Sequence, residues 1–351
     1  MIKKATITNF ELRKSFCVPK YIQIAESITN DILKGKITRD ERIPSINALS
    51  EKNGVSRDTI EKAYKVLRER NLIFSVSGVG NFVNSNIVGL LPKVVFLINK
   101  SSSYKIDVFN AFANSIGKAA FVNMYLYNCD EDLFVDFLKK NFSNYNYFVI
   151  MPHFRDENEG HVNYTPNVIK EIEKISKNKL IILDNSPYEI SGKFTAIYQD
   201  YRKDIFFALQ SGFQKIKGYK KIFLIYPEKS FFPCPKGVLI GFIDFCERYQ
   251  FDFEILEEIQ NELQFEDKEI YITINDNDLV YLMQQIREKS KVLGRDVGII
   301  SYNDTPLKAL LGITVMTTDF KGMGESAAHC ILNNKIEVFK NPFHYIERNS
   351  L

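Results

Sequence analysis

Residues 42–67 read RIPSINALSEKNGVSRDTIEKAYKVL, and this stretch predicts two short helices separated by a tight turn. Ser45 and Ser56 precede the two helices as predicted N-caps, because a serine hydroxyl accepts a hydrogen bond from a backbone N–H of the first turn. Asn53-Gly54 forms the turn between them, since glycine tolerates the left-handed conformation that ends a helix. The second helix has one apolar and one polar face. Its predicted buried residues are Ile60, Ala63, Tyr64 and Leu67.

A further helix is predicted before this stretch and a β-hairpin after it. Residues 21–33 repeat apolar side chains at helical spacing, and Gly35 marks the end of that helix. Residues 72–76 and 81–83 are two short strand-like runs around the glycine-rich turn 77–80. Three helices followed by a hairpin are the arrangement of a winged helix–turn–helix, whose third helix can lie in the major groove of DNA.

The segment 19–83 resembles the GntR family of bacterial transcription regulators. The matching runs occur in the order and at the spacing of the family, and they are PKYIQIAESI, the 42–67 stretch, NLI and GVGNFV. The resemblance implies a DNA-binding head in which the start of the third helix meets phosphates and base edges. The residues that it assigns to DNA contacts are Ser45, Ser56, Arg57, Thr59 and Gly80.

Single positions within this resemblance carry distinct roles. Ser45 corresponds to the serine that caps the second helix near a phosphate, and Gly80 corresponds to the wing-tip glycine that lets the backbone approach the minor groove. Arg57 is the predicted guanine contact, because a guanidinium can bind O6 and N7 together. Asn47 and Val79 stand where the family usually has arginine. The head is therefore expected to bind DNA more weakly or to read a different operator.

The composition is that of a folded soluble protein. The 351 residues are 45% hydrophobic and 25% charged, which provides ample apolar surface to bury. No run approaches about eighteen apolar residues, and no apolar core follows the N-terminal lysines, so neither a membrane span nor a secretory signal is predicted. The cysteines lack a C-x-x-C spacing and are expected to be small buried hydrophobes in a reducing cytoplasm. They are Cys17, Cys129, Cys234, Cys246 and Cys330.

Positive charge is concentrated near the N-terminus. Residues 1–85 contain 15 Lys and Arg against 9 Asp and Glu, whereas residues 86–351 contain 31 against 34. A basic head on a mildly acidic body indicates a polyanion as the partner of the head. We therefore expect a winged helix–turn–helix DNA-binding domain at 1–85, a linker at 86–92, and a separate domain at 93–351.

Residues beyond 92 predict an α/β fold built on parallel sheets. Six apolar runs of strand length alternate with amphipathic stretches, a pattern typical of parallel strands that are buried on both faces. The six runs are 93–98, 147–151, 180–183, 221–226, 269–274 and 297–301. Ligands of such sheets bind beyond the carboxyl ends of the strands, where this chain places mostly polar and aromatic residues.

This body resembles the ligand-binding part of the lactose-repressor family, which is similar to type I periplasmic sugar-binding proteins. The resemblance covers roughly residues 93–335 and rests on runs such as ILDNSP, PKGVLIGF and GIISYNDTPL. It implies two lobes, at 93–195 and 198–303, that clamp a small ligand. It also implies that residues 307–323 return to the first lobe and the end of the chain to the second.

A monosaccharide bound between the lobes is the expected effector. By the resemblance, Lys236, Asn277 and Asn303 stand where the family has a ligand-binding arginine, asparagine and aspartate. Asp200 matches an acidic position after the crossover strand, and His153 follows a strand end. Stacking on a sugar ring falls to Tyr or Phe, since the chain has no Trp. The stacking candidates, chosen because they follow strand ends, are Tyr104, Phe154 and Phe232.

The sequence lacks the motifs of common enzyme classes. It has no G-x-x-x-x-G-K-[ST] phosphate loop, no G-x-S-x-G nucleophile elbow and no zinc-binding histidine pair, so no catalytic residue, cofactor or metal is expected. Some GntR relatives carry an aminotransferase-like body that binds pyridoxal phosphate. Residues 93–351 are few for such a domain and present no convincing context for a Schiff-base lysine.

The predicted function is a cytoplasmic transcription regulator, a repressor, whose binding to a palindromic double-stranded DNA operator is controlled by a small sugar. A homodimer is expected, because two heads spaced by one helical turn read a palindrome. No membrane partner is expected. The alternative is a small-molecule-binding protein, or an enzyme acting on the ligand, without a role in transcription.

Overall fold

The computed structural model describes residues 19–33, 36–38, 40–84, 91–228, 230–259 and 263–351. The chain divides into two compact units. The three N-terminal helices and the hairpin after them are called the head, and the part with two six-stranded sheets is called the body. Cys17, Gly35 and most of the predicted linker 86–92 lie outside the described residues.

The head contains the helices and the hairpin that the sequence predicts. Its helices are α1 (Lys20–Leu33), α2 (Ile46–Asn53) and α3 (Arg57–Glu69), and its strands are β1 (Ile73–Val76) and β2 (Gly80–Val83). Ser45 accepts a hydrogen bond from the N–H of Ala48 at 3.2 Å, and Ser56 accepts one from the N–H of Thr59 at 3.3 Å. Gly54 ends α2 in the left-handed conformation, with φ at 61°. The predicted caps and turn are therefore confirmed.

The core of the head joins all three helices and the hairpin. The side chains that α3 buries are the predicted ones, Ile60, Ala63, Tyr64 and Leu67. The Tyr64 hydroxyl donates a hydrogen bond to the Pro44 carbonyl at 2.6 Å, which holds the segment before α2 against α3. Strands β1 and β2 pair antiparallel, with Ile73 opposite Val83.

The body begins with a segment that alternates strands and helices from residue 93 to residue 198. Its strands are β3 (Lys93–Ile98), β4 (Phe121–Leu126), β5 (Tyr147–Ile150), β6 (Phe154–Arg155), β7 (His161–Val162), β8 (Leu180–Asp184) and β9 (Thr195–Tyr198). Its helices are α4 (Ser103–Ile116), α5 (Glu131–Asn141) and α6 (Pro166–Ile172).

A second segment continues the alternation to residue 318, and the chain ends with three more elements. The second segment contains α7 (Tyr201–Ser211), α8 (Phe213–Ile216), β10 (Lys221–Ile225), α9 (Lys236–Tyr249), β11 (Asp252–Leu256), β12 (Glu269–Thr273), α10 (Asp276–Glu288), β13 (Val297–Tyr302), α11 (Pro306–Leu310) and β14 (Thr314–Thr318). The last elements are α12 (Phe320–Leu332), β15 (Val338–Lys340) and β16 (Phe343–Ile346).

The strands form two six-stranded sheets, and each sheet is the centre of one lobe. Lobe 1 has the order β15-β9-β8-β5-β3-β4, and lobe 2 has the order β11-β10-β12-β13-β14-β16. In lobe 1, strands β5, β8, β9 and β15 pair in parallel. In lobe 2 the pairing from β11 to β14 is parallel, and only the last strand, β16, runs antiparallel to its neighbour β14. The predicted two-lobed α/β architecture is therefore confirmed.

The chain crosses between the lobes three times, and one crossing lies later than expected. The first crossing is at residues 199–200, after β9, close to the predicted boundary. The expectation that residues 307–323 return to lobe 1 is wrong up to Thr318, because β14 pairs with β13 in the sheet of lobe 2 and its Val315 is buried there. The return is made by α12, which packs on β8 and β9. The last crossing, after Asn341, brings β16 back to lobe 2, as expected.

Two general expectations can be compared with the described residues. Cys129, Cys246 and Cys330 are buried and Cys234 is half-buried, so three of the four described cysteines are interior groups. Within the described ranges, no helix has both the length and the apolar character needed to cross a bilayer.

Candidate functional site

A cavity of about 80 Å³ lies between the two lobes of the body. Its wall is built largely from residues that follow the carboxyl ends of strands in both sheets, which is where ligands of parallel sheets bind. Lobe 1 contributes Asn99, Lys100, Tyr104, Lys105, His153 and Asp184, and lobe 2 contributes Phe232, Cys234, Asn275, Tyr302 and Asn303. The wall is therefore polar and aromatic, and both lobes are needed to complete it.

A wider cleft of about 550 Å³ adjoins the cavity. The residues that line both spaces are Gln199, Tyr201 and Pro235. Two contacts join the lobes beside this cleft. The guanidinium of Arg155 lies 4.7 Å from the centre of the Phe231 ring, and Nζ of Lys236 lies 3.9 Å from Oδ2 of Asp156. The cleft therefore shares part of its lining with the cavity, and two contacts between the lobes lie next to it.

The buried carboxylate of Asp184 is the polar centre of the cavity. Its Oδ2 accepts a hydrogen bond from Nε2 of His153 at 2.9 Å and lies 3.2 Å from the Lys105 ammonium. Its Oδ1 accepts hydrogen bonds from the Gln199 amide and from the Tyr201 hydroxyl, the latter at 3.1 Å. Burial opposes ionisation, but the Lys105 charge and the His153 hydrogen bond hold the pKa of Asp184 well below its ordinary value. The carboxylate is therefore charged, and protein donors surround both of its oxygens.

Two buried histidines extend this network. Nε2 of His161 lies 2.8 Å from Nδ1 of His153. Since His153 donates to Asp184 through Nε2, its Nδ1 is the acceptor and His161 is the donor. Burial and the nearby Lys105 ammonium lower the pKa of His153 to about 4. Burial and the adjacent His153 ring lower the pKa of His161 well below its ordinary value. Both rings are therefore neutral at pH 7.

Polar contacts tie the three crossings together. Asn341, in the last crossing, is buried and donates its backbone N–H to the Tyr198 carbonyl at 2.7 Å. Its side-chain amide donates to the Asp319 carbonyl, in the second crossing, at 3.0 Å. Gln199, in the first crossing, accepts a hydrogen bond from the Thr318 hydroxyl, while its amide nitrogen donates to the buried carboxylate of the cavity. The cavity and the crossings therefore share Gln199.

Three of the predicted effector residues line the cavity, namely Tyr104, Phe232 and Asn303. Nζ of Lys100 lies 5.6 Å from the centre of the Tyr104 ring and 5.8 Å from that of Phe232. Tyr104 also packs against Phe320, with 5.0 Å between ring centres. The two predicted stacking residues thus lie near each other across the lobes, with a cation close to both. His153, the further candidate, is part of the same wall.

Asp200 and Lys236 line the outer cleft rather than the cavity. Asp200 caps α7 by accepting a hydrogen bond from the N–H of Lys203 at 3.2 Å, and its carboxylate lies 3.1 Å from the ammonium of the same lysine. Lys236 is the first residue of α9, and its side chain is 61% exposed. Both predicted effector residues therefore lie in the cleft that adjoins the cavity.

Phe154 and Asn277 lie away from the cavity. The strand β6 turns the ring of Phe154 into the core of lobe 1, where it stacks on Tyr127 with 5.0 Å between ring centres and is fully buried. Asn277 lies in the first turn of α10 and faces a separate acidic cleft, while Asn275, two positions earlier, lines the cavity. Neither Phe154 nor Asn277 is placed to contact a ligand in the cavity, which corrects both expectations.

Lys105, Gln199 and Tyr201 are cavity residues that the sequence reasoning missed. Lys105 lies in the first turn of α4, because that helix begins at Ser103. The sequence signal that could have identified Lys105 is a lysine in the first turn of a helix that follows a parallel strand. Gln199 and Tyr201 follow β9, the crossover strand, whose four residues, TAIY, mix polar and apolar side chains and are not among the six apolar runs.

Arg57 and Thr59, two of the residues predicted to meet DNA, lie in the first turn of α3. Arg57 is exposed at the start of the helix and forms no ion pair within the part of the chain that the structure describes. Asp58 lies 2.7 Å from the Lys62 ammonium one turn later, so these two charges compensate each other. At the hairpin, Gly80 has φ at 138°, and a Cβ at this position would lie 2.9 Å from Nε of Arg42. Among the described residues the Arg57 guanidinium thus has no ion pair, and the positive φ at position 80 favours glycine.

Ser45, Ser56 and Thr59 shape the two helix starts of the head. The hydroxyls of Ser56 and Thr59 lie 2.7 Å apart, and Ser56 also caps α3. Backbone N–H groups at the start of a helix carry partial positive charge and bind phosphate well. The starts of α2 and α3 therefore combine serine hydroxyls with a favourable site for an anion.

The head matches a known protein family. The family model "Bacterial regulatory proteins, gntR family" matches residues 20–83. The uncharacterized HTH-type transcriptional regulator YurK of Bacillus subtilis is 33% identical over 107 residues, which are 30% of this chain and 40% of that protein. The arabinose metabolism transcriptional repressor of Geobacillus stearothermophilus is 30% identical over 71 residues, which are 20% of each chain. The chain thus spans less than half the length of these curated relatives.

The body matches solved structures of regulators and binding proteins. The trehalose repressor from Escherichia coli superposes with a TM-score of 0.58 at 12% identity, over 73% of this chain and 99% of that one. A periplasmic binding protein/LacI transcriptional regulator from Alkaliphilus metalliredigens, complexed with D-xylulofuranose, superposes with a TM-score of 0.54 at 16% identity, over 74% and 98%. At such identities the likeness shows the fold alone. Residues 20–83 are therefore a GntR-family winged helix–turn–helix domain, joined in this chain to a body with the two-lobed fold of LacI-type regulators and periplasmic binding proteins.

Proposed function

We propose that the protein is a DNA-binding transcription regulator, a repressor, whose affinity for its operator is controlled by a sugar bound between the lobes. The observation that carries this proposal is the combination, in one chain, of a GntR-type head and a polar cavity between two lobes. The similar proteins support it, since they include an arabinose repressor, a trehalose repressor and a regulator with a bound sugar. The protein is proposed to act as a regulator and not as an enzyme.

The head is proposed to bind DNA with α3 in the major groove. The N-terminus of a recognition helix contacts base edges in this type of fold, and its flanking caps meet the phosphate backbone. Arg57 would bind a guanine, and Gly80 would let the tip of the hairpin approach the minor groove. The proposed DNA contacts are Ser45, Ser56, Arg57, Thr59 and Gly80.

The effector is proposed to bind in the cavity and to reach into the cleft. The proposed contacts in the cavity are Tyr104, Phe232 and Asn303, and those in the cleft are Asp200 and Lys236. Aromatic rings supply apolar faces for a sugar ring, and the polar groups around them exchange hydrogen bonds with its hydroxyls. Lys236 belongs to lobe 2 and pairs weakly with Asp156 of lobe 1, so a ligand there would touch a contact that joins the lobes.

A homodimer in the cytoplasm, bound to a palindromic operator, completes the proposal. It assigns residues 1–85 to DNA binding, 86–92 to a linker and 93–351 to effector binding and dimerisation. Effector would close the two lobes, shift the dimer interface and change the spacing of the two heads. A ligand can do this only if it binds the two arrangements with different affinity.

A gel-shift titration with the DNA upstream of the protein's own gene tests this proposal. We expect salt-sensitive binding to one palindromic site, and release by a small sugar at constant salt. Protein that binds sugars but binds this DNA no better than random DNA would support the alternative, a binding protein or enzyme outside transcription. Binding to DNA that no sugar changes would contradict the proposed role of the body.

A further inference from the structure

An ammonium group without a counter-charge lies in the wall of the cavity. Lys100 lies just after the end of β3, is half-buried, and lines the cavity near the rings of Tyr104 and Phe232. Among the residues that the structure describes, no carboxylate forms an ion pair with Lys100. An aromatic ring attracts a cation but does not neutralise it. The charge of Lys100 is therefore available to a ligand.

A second ammonium group is only partly satisfied. Lys105 is 2% exposed, and its Nζ lies 3.2 Å from Oδ2 of Asp184 but makes no well-oriented hydrogen bond to any described residue. An ammonium has three N–H donors, so Lys105 retains donors for a ligand. Asp184, in contrast, is already surrounded by donors from His153, Gln199 and Tyr201.

An acceptor close to these lysines also lacks a partner. The amide nitrogen of Asn99 donates to Sγ of Cys129 at 3.1 Å, but its Oδ1 is buried without a hydrogen bond among the described residues. Buried polar atoms in folded proteins are nearly always paired, and those left over indicate a missing water, ion or ligand. Asn99 lines the same cavity, so a ligand hydroxyl there would satisfy its oxygen.

The charges of the cavity wall sum to a positive value. Its ionised groups are two ammonium groups, Lys100 and Lys105, and one carboxylate, Asp184, while His153 is neutral. Tyr104 and Lys105 lie in the first turn of α4, a helix of 14 residues, whose N-terminus adds partial positive charge. Net positive charge in a partly buried cavity favours an anionic ligand over a neutral one.

We propose that the effector is an anionic sugar, one that carries a phosphate or a carboxylate in addition to its hydroxyl groups. Lys100 and Lys105 bind the anionic group at the start of α4, and Oδ1 of Asn99 accepts a hydrogen bond from a hydroxyl. A neutral sugar would leave the Lys100 charge uncompensated when the lobes close over it. This inference rests on the proposed function, because it names the class of effector for the same cavity.

Calorimetric titration of the full-length protein with matched sugars tests the inference. The probes are D-glucose, D-glucose 6-phosphate and D-gluconate, the corresponding ribose series, and inorganic phosphate alone. We expect at least one phosphorylated or carboxylated sugar to bind, and its neutral parent to bind at least about tenfold more weakly. The phosphate and carboxylate arms identify the anionic group. A neutral sugar that binds as tightly as its anionic forms, or a panel in which no anionic sugar binds, would overturn the inference. Inorganic phosphate that binds as tightly as the sugar phosphate would overturn the requirement for a sugar.

Three variants test whether Lys100 causes the preference for an anionic sugar. Lys100→Met keeps the length of the side chain and removes its charge. We therefore expect this variant to bind the anionic sugar about 30-fold or more weakly than wild type. Lys100→Arg retains the charge and should retain most of the affinity. Lys139→Met removes an exposed charge from α5 and serves as the matched control. Equal binding by Lys100→Met and the control, with both proteins shown to be folded by circular dichroism, would overturn the role of Lys100.

Operator binding measured on the same samples separates this inference from the proposed function. Protein that binds its operator and responds to neutral sugars alone contradicts the anionic effector but not the regulator. Protein that binds an anionic sugar but no operator contradicts the regulator and leaves the chemistry of the cavity supported.

Discussion

Single residues set the charge of the cavity and of the exposed start of α3. Asp184 remains ionised in the interior because Lys105 lies beside it and hydrogen-bond donors surround it. The same burial keeps the adjacent histidines neutral. On the head, Arg57 is exposed without an ion pair to any described residue, whereas the neighbouring Asp58 is paired with Lys62. Residues next to each other in sequence therefore differ in what they can offer a ligand.

Acidification is expected to destabilise the body through its buried histidines. The pKa of His153 is about 4 in the folded protein against an ordinary value of 6.5, so between these values the unfolded chain binds a proton that the folded chain does not. The stabilising contribution is complete above pH 6.5 and is lost as the pH falls toward 4. We expect the free energy of unfolding to fall by about 1.4 kcal/mol per pH unit from this group, and more steeply with His161 added.

Urea unfolding at several pH values between neutrality and pH 5 measures this slope. The double variant His153→Asn/His161→Gln removes both groups, so its stability should depend less on pH over the same interval. An equal slope in the wild-type protein and the double variant would show that other groups govern the acid sensitivity.

Replacing Arg57 is expected to weaken operator binding. Arg57→Ala should cost about 1–3 kcal/mol and relax the preference for guanine at one base pair, because the bidentate contact is lost. The loss should not alter binding of the effector to the body. Fluorescence anisotropy with operators that vary single base pairs measures both effects. Arg295→Ala, which removes an exposed arginine from lobe 2, is the control. Equal operator affinities of the two variants would show that Arg57 does not contact the DNA.

At the scale of elements, close packing of helices constrains single glycines. Helices α7 and α9 pack so closely that a Cβ at Gly241 would lie 2.1 Å from the Arg202 carbonyl oxygen and 2.6 Å from Cγ2 of Ile205. The backbone of α7 cannot move away from such a Cβ in the way that a flexible side chain could. The distance between these two helices in lobe 2 therefore depends on the absence of a side chain.

Gly241→Ala is expected to destabilise the protein by about 1–3 kcal/mol, because the added methyl group overpacks the contact between the helices. Alanine is otherwise favourable in a helix, so the sign of the effect depends on the close approach alone. Thermal and urea unfolding measure it. Ile240→Ala changes the preceding residue, which is 42% exposed, and should cost much less. A Gly241→Ala protein as stable as wild type would mean that α7 and α9 separate at little cost.

At the scale of the whole body, hydrogen bonds connect the three crossings between the lobes, which together are called the joint. Asn341 bonds to the carbonyls of Tyr198 and Asp319, so a single residue joins all three. Gln199 links the same joint to the carboxylate in the cavity. The hydrogen bonds of the crossings are therefore continuous with those of the cavity.

Asn341→Ala is expected to loosen this joint. Loss of the side-chain amide removes one of the donors to the half-buried carbonyl of Asp319, which should cost about 0.5–1.5 kcal/mol of stability. The effector concentration needed to release DNA should also change, because the balance between open and closed lobes shifts. Urea unfolding and gel-shift titration measure the two effects. Asn114→Ala, at an exposed position on α4, is the control. An unchanged effector response in a measurably destabilised Asn341→Ala protein would restrict Asn341 to a structural role.

The sequence alone determined the three helices and the hairpin of the head and the class of the body. Caps, turns and helical periodicity are local signals, so Ser45, Ser56 and Gly54 marked the helix ends correctly. Parallel strands buried on both faces are continuous apolar runs, and six such strands were recognised for that reason. Strands such as β4 and β11, whose residues are mostly exposed or half-buried, and β14, which reads TVMTT, lack that signature and were not predicted.

Only the tertiary structure decided which residues share the cavity. Strand ends indicated the correct edge of each sheet, but the direction of a side chain beyond that edge depends on the next element of the chain. After β5 the chain forms the short strand β6, which turns Phe154 into the core. After β3 the helix α4 begins early enough to bring Lys105 beside Asp184, which lies far along the chain at the end of β8. Contacts between distant segments form by packing of whole elements, and local sequence carries no record of that geometry.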